Sequence, residues 1–285
     1  MKLSEGRFFT THTGSLPRPD GLIELLGRVS KGEPVDQQEL DRLAEESTLD
    51  VIHKQVQAGV DVINSGEQSR ISFSTYVTQR MTGFGGSWTR RGHKDQNEFP
   101  GIARPRVVQL MTDVPQCTGP LEYQRPDLAE RELDGLVNGV KQSGAVHQDL
   151  FMSAASPGII ALTLGNAYYA SHKEYVMALS EEMRKEYEII TARGVILQLD
   201  CPDLAMERHV AYQDDPIEVF QEMVTLHIQA INHAIRNIPR EQIRLHVCWG
   251  NTEGPHIYDV PIEDILPLVY QANVGALVLE MANPR

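Results

Sequence analysis

Three short, near-continuous apolar runs constrain this chain more than any other feature. They are VILQLDCP (195–202), IRLHVCWG (243–250) and VGALVLEMA (274–282), each interrupted by polar residues mainly toward its C-terminal end. A strand that is apolar along most of its length has to be covered on both faces, which is the situation in a parallel sheet flanked by helices. Amphipathic helices are expected at the right places. SHKEYVMALSEEMRKEYEIITARG (171–194) carries Ser171 and Glu174 as a capping box and Gly194 as its stop. DDPIEVFQEMVTLHIQAINHAIRN (214–237) has Asp215 at the cap, Pro216 in the first turn and Glu218 at the third position.

The same alternation runs through the first half. DQQELDRLAEESTLDVIHKQVQAG (36–59) reads as a helix, with Asp36 and Glu39 as a capping box and Leu40, Leu43, Ala44, Val51, Ile52 and Val56 on one face. Strands are expected in GRFFTTHTGS (6–15), VDVINSGEQ (60–68), RPRVVQL (104–110) and HQDLFMSAASPG (147–158), and the longest loop in GFGGSWTRRGHKDQNEFPG (83–101). Seven strands in sequence favour an α/β fold of the TIM (β/α)8 barrel kind over a doubly wound sheet. Neither G-x-G-x-x-G after the first strand nor G-x-x-x-x-G-K-[ST] is present, so nothing supports a nucleotide-binding fold. A barrel closes with eight strands, yet EMANPR follows directly on the seventh. Residues 1–285 are therefore expected to form a single (β/α) barrel catalytic domain that lacks its C-terminal end, truncated after strand seven.

Charge narrows the function. The net charge is −13 and no segment is dense in Lys or Arg, which argues against nucleic acid and against a membrane surface as partners. No signal-peptide pattern and no membrane-length apolar stretch is seen, so the expectation is a soluble, cytoplasmic protein. Cys117, Cys201 and Cys248 are odd in number and far apart, which suits reduced thiols. Whether the chain forms a homo-oligomer is left open.

Polar residues collect where strands end. HTGS closes the first, NSGEQSR the second with Glu67, LDCPD the fifth with Asp200, HVCWGN the sixth with His246 and Cys248, and LEMANPR the seventh with Glu280. In a (β/α) barrel those ends share one face, where active sites lie. Each residue alone also fits a plainer role: an acid at a strand end as a helix cap or ion-pair partner, His246 as a hydrogen-bonded strand histidine. Taken together they suggest more. His246 and Cys248 are two apart on a strand and point the same way, and Glu280 ends the neighbouring strand. Nitrogen, sulfur and oxygen donors suit tetrahedral zinc.

These motifs resemble the cobalamin-independent methionine synthase family, specifically its C-terminal catalytic barrel, and the single-barrel relatives that include an epoxyalkane–coenzyme M transferase. The resemblance covers essentially the whole chain. THTGSLPRP is similar to the family's Gly-Ser-Phe/Leu-Pro opening, NSGEQSR to its Gly-Glu motif, LQLDCPDLA to its Asp-Glu-Pro-x-Leu motif, and LHVCWGN with LVLEMA to its His-x-Cys and Glu zinc motifs. It implies a barrel of the methionine synthase/uroporphyrinogen decarboxylase type. It implies zinc held by His246, Cys248 and Glu280, an amino-group site at Glu67 and Asp200, and a carboxylate site around Gly14 and Ser15. The family's fourth ligand, a second cysteine, and its proposed general-acid histidine lie downstream of the positions this chain covers. No catalytic acid or base is accordingly assigned within it. Cys201 stands where the synthases carry Glu, and His12 and Arg18 are also atypical.

The implied activity is zinc-dependent methyl transfer to a thiol, foremost homocysteine to methionine, with a small-molecule thiol and a methyl donor (folate or other) as partners. A free thiol, pKa about 8.5, is mostly protonated at neutral pH, and zinc binding keeps it as thiolate. Paired carboxylates at Glu67 and Asp200 suit an ammonium group and would repel a sulfonate. Other readings are an alkyl transferase or lyase acting on another thiol such as coenzyme M, a zinc-free decarboxylase, and a ligand-binding barrel without turnover.

Overall fold

The computed structural model describes residues 1–102, 114–144, 146–251 and 255–282. Among them the strands are β1 (Val62–Ile63), β2 (Met81–Trp88), β3 (Val114–Tyr123), β4 (Asp149–Ala155), β5 (Ile196–Asp200), β6 (Ile243–Val247) and β7 (Ala276–Leu279). The main helices are α1 (Asp20–Ser30), α2 (Gln37–Gln57), α3 (Lys94–Glu98), α4 (Pro126–Ser143), α5 (Pro157–Thr163), α6 (His172–Ala192), α7 (Ile217–Ala234) and α8 (Ile262–Val269).

The five strands β1-β4-β5-β6-β7 pair in that order as one parallel sheet, a curled half-barrel consistent with a partial TIM barrel. Every residue of β5 is buried, as its apolar run requires, because strands flank it on both sides and helices cover its outer face. Around the outside α2 packs on α4, α4 on α6, α6 on α7 and α7 on α8. Ser171 caps α6 by accepting from the Glu174 amide, as expected. No helix among the described residues is long and apolar enough to cross a membrane.

Several expectations need correction. Residues 6–15 form no strand. Around Thr10 the neighbouring backbone is only partly engaged: the Thr10 amide donates to the Asp61 carboxylate at 2.8 Å, while its carbonyl accepts from the Asp61 and Val62 amides. A side chain thus takes a donor that a strand would give to its neighbour. The expected second strand shrinks to Val62–Ile63. The 83–101 stretch is not all loop, since its start lies in β2, which pairs antiparallel with β3. Three glycines hide the strand alternation there, and Gly83 is needed because a Cβ would stand 2.7 Å from the Pro120 carbonyl oxygen. At α7 the cap position is Pro216 with no side-chain cap, so Asp215 does not serve as one. Asp36 accepts from the Gln38 and Glu39 amides at the start of α2. The expected strand at 104–110 lies outside the described residues.

Candidate functional site

Period-two geometry builds the inner face of the half-barrel. Ser153 on β4, Gln198 and Asp200 on β5, and Arg244 and His246 on β6 are joined across it. Arg244 Nε donates to Gln198 Oε1 at 2.8 Å, Gln198 Nε2 donates to Asp200 Oδ1 at 2.8 Å, and His246 Nδ1 lies 3.1 Å from Asp200 Oδ1. Parallel register sets Asp200 directly beside His246. The N-terminal segment closes the network: Arg244 Nη1 donates to Thr11 Oγ1 at 3.3 Å, and Gln198 donates to the Thr13 carbonyl.

Gly14, Ser15 and Glu67 come together as expected. A tight turn after β1 makes this possible. Asn64 Oδ1 accepts from the Gly66 amide at 2.8 Å while Asn64 Nδ2 donates to the Gly14 carbonyl at 3.1 Å. Gly66 and Glu67 both take left-handed backbone, with φ of 65° and 55°. That conformation is uncommon for a non-glycine residue, and such strained positions cluster at ligand sites. It buries Glu67 to 2% exposure, where its carboxylate accepts from the hydroxyls of both Ser15 and Ser153. Gly14 packs against it, since a Cβ there would sit 2.7 Å from Glu67 Oε1. Burial raises the pKa of Glu67, and the nearby Asp200 charge adds to this; Arg70 and the two hydroxyls oppose it.

His246 is the second electrostatic feature. Burial favours the neutral ring, but hydrogen bonds with Asp200 and Cys248 outweigh it and push the pKa up to about 10. His246 and Cys248 therefore do face each other, as their spacing predicts. Glu280 does not join them. It is exposed one residue past β7, and among the described residues no group of three His, Cys, Asp or Glu is placed to hold a metal ion. The imidazole–thiol pair fits two zinc donors by its chemistry. The expected third donor is not with them, so the metal site is not assembled as a unit.

Ser153, Gln198 and Arg244 were missed by sequence reasoning. The usable signal was a lone polar residue inside each apolar run, at the parity of the strand-end acids. Away from this site two histidine relays are buried. His172 Nε2 lies 2.9 Å from His227 Nε2, and His227 Nδ1 lies 2.7 Å from Asp203. His93 Nδ1 lies 3.1 Å from His209 Nε2.

No protein-family model matches the chain. Methionine synthase of Sulfolobus acidocaldarius is 25% identical over 259 residues, 90% of this chain and 66% of that protein. The methionine synthases of Sulfurisphaera tokodaii and Pyrococcus furiosus are each 26% identical, over 85% of this chain and 61% and 62% of theirs. The chain thus spans less than two thirds of the length of these curated relatives. Among solved structures, a B12-independent methionine synthase from Shewanella sp. W3-18-1, in complex with selenomethionine, superposes with a TM-score of 0.67 at 20% identity, over 94% of this chain and 72% of that one. A putative vitamin-B12 independent methionine synthase from Listeria monocytogenes gives 0.57 at 18% identity, over 95% and 80%. By sequence over most of its length the chain is a homologue of the methionine synthases, and it has the fold of the B12-independent ones.

Proposed function

We propose that this chain carries the thiol-binding half of an S-methyltransferase that converts homocysteine to methionine. The observation that carries the reading is the pairing of two buried acids, Glu67 and Asp200, at the mouth of the half-barrel, with the Cys248–His246 pair alongside Asp200. His246 beside Asp200 and Arg70 behind Glu67 offset part of the cost of two carboxylates in one electrostatic field, and a cation between the two acids lowers it further. An amino-acid ammonium supplies that cation, whereas a sulfonate thiol would be repelled. Gly14 and Ser15 line the same turn and would hold the amino acid's carboxylate end. Holding the sulfur in line with the transferred carbon is the main contribution such a site makes.

Zinc is part of the proposal, with His246 and Cys248 as the donors the fold brings together. When bound, zinc keeps the substrate sulfur as thiolate at neutral pH. The deciding experiment measures transfer from methyltetrahydrofolate and from other methyl donors to a panel of thiols, with and without chelator, alongside metal analysis. Homocysteine should be alkylated in preference to coenzyme M, and chelation should stop it. Turnover of coenzyme M but not homocysteine would overturn the assignment.

A further inference from the structure

Behind Glu67 lies a buried polar cluster that the site described so far does not use. Arg70 is 1% exposed, one turn on from Glu67, and its amide donates to the Glu67 carbonyl at 3.1 Å. Its Nε donates to Glu132 of α4 at 3.0 Å, and its Nη1 reaches Ser153 Oγ at 3.4 Å. Arg80 shares Glu132 at 2.8 Å and pairs with Glu186 of α6 at 3.0 Å. The Tyr76 ring is clamped between the two guanidiniums, 4.4 and 4.5 Å from its centroid, while its hydroxyl donates to Glu186 at 2.5 Å. Tyr123 donates to the other Glu186 oxygen at 2.8 Å.

The chemistry at Ser153 is restrictive. A serine hydroxyl has one proton and two lone pairs. That proton is given to Glu67. The group on the other side of the oxygen must therefore be a donor, and Arg70 Nη1 is the donor present. Because a guanidinium always donates and never accepts, it fixes the direction in which the hydroxyl points. The hydroxyl can then give its proton only to the Glu67 carboxylate.

We propose that Arg70 is a positioning residue for the substrate ammonium: it polarises and orients Ser153, and Ser153 in turn holds Glu67 anionic and aimed at the amino group. The proposal rests on the reading of Glu67 as an ammonium counter-ion. Arg70 does not touch the substrate. Its charge acts on Glu67 across space, its hydrogen bond acts through the one Ser153 hydroxyl, and Glu132 on α4 holds it in place. The geometry ties the amino-acid specificity of the mouth to an outer helix that contributes nothing to the mouth itself.

The test compares two ligands by titration calorimetry: L-homocysteine and 4-sulfanylbutanoate, which keeps the thiol and carboxylate but has no amino group. Their affinity ratio isolates the ammonium. The unaltered protein should prefer homocysteine by about 10- to 100-fold, the range of a charged hydrogen bond. Arg70→Lys and Ser153→Ala should each lower that preference about tenfold while the 4-sulfanylbutanoate affinity stays put. In the Ser153→Ala background, Arg70→Lys should have no further effect, because both act along one chain of contacts. Glu132→Gln loosens the same guanidinium from its other side and should act in the same direction; it carries the test if Arg70→Lys does not fold. A wild-type preference that survives in all three variants overturns the role of Arg70 and leaves the ammonium site standing. An undiminished effect of Arg70→Lys without the Ser153 hydroxyl overturns the relay. Absence of any preference in the unaltered protein overturns the ammonium reading itself, and the proposal with it.

Discussion

Gly14→Ala is the sharpest single perturbation of this site, and its cost can be built from the backbone up. Gly14 has φ of 147°, a region that side chains rarely enter, and forcing alanine there costs about 1–3 kcal/mol. The new methyl would lie 2.7 Å from Glu67 Oε1, which is pinned by Ser153 and cannot swing away freely. Moving the oxygen to ordinary contact breaks that charge-assisted bond, worth about 1.5–3 kcal/mol net. The sum, roughly 2.5–6 kcal/mol, is a large part of a typical stability of about 5–15 kcal/mol. The variant should melt roughly 5–24 °C lower, since each kcal/mol shifts a domain of this size by about 2–4 °C. Urea and thermal unfolding, with homocysteine affinity measured beside them, check this. Shortening the acid in Gly14→Ala/Glu67→Asp should recover part of the loss, because the clash is with the far end of Glu67. An unchanged melting point and unchanged affinity in Gly14→Ala would refute the packing argument. A double variant no better than the sum of its parts would refute the assignment of the clash to Glu67.

Charge reversal in Glu67→Lys should abolish use of an amino-acid thiol, read by initial rates, with little loss of bound metal, whereas Asp200→Lys should lower both, because Asp200 contacts His246. His246→Ala and Cys248→Ser should each lower the zinc content of the purified protein well below that of the unaltered protein, measured by plasma mass spectrometry; unchanged zinc content in both would remove them as donors. Gly158→Ala would push a methyl to 2.2 Å from both Asp203 Oδ2 and His227 Nδ1, so it should break that buried pair and cost about 3–5 kcal/mol in urea unfolding. Burial lowers the pKa of His93 to about 3 and of His172 to about 4, in each case helped by its neighbouring histidine. Below about pH 6.5 the unfolded chain takes up protons that these two folded histidines refuse, so stability falls with pH down to about 4. Replacing either by Gln should flatten the slope by about 1.4 kcal/mol per pH unit across that window, followed by urea midpoints at several pH values.

The central strands were legible because burial on both faces leaves a signature that needs no context: β5 and β6 lie inside the runs that announced them. Long helices with side-chain caps, such as α6 at Ser171, were equally plain. The N-terminal segment was misread because its donors are taken by the Asp61 side chain, a partner fifty residues away that no local pattern reveals. β2 was hidden by glycines whose purpose is close approach to another backbone, which in sequence look like loop. The convergence of Gly14, Ser15, Glu67 and Asp200 was legible through motif and strand-end position. Ser153 and Arg70 were not, because a residue that acts by holding another carries no motif of its own. Glu280 shows the converse: the register of β6 with β7 ends at Val247 and Leu279, and the next residue, Glu280, is exposed.

The clamp around Tyr76 has an optical consequence. Burial and the Glu186 carboxylate hold the phenols of Tyr76 and Tyr123 far above the ordinary range, and burial does the same for Tyr175 and Tyr187. The chain has nine tyrosines in all. As the pH is raised, the phenolate absorbance near 295 nm should therefore rise in two stages. Accessible rings ionise first, and these four stay silent until the fold gives way and releases them together. The second rise would then serve as an intrinsic reporter of cooperative unfolding, located in the wall between the half-barrel and its outer helices, with no label introduced.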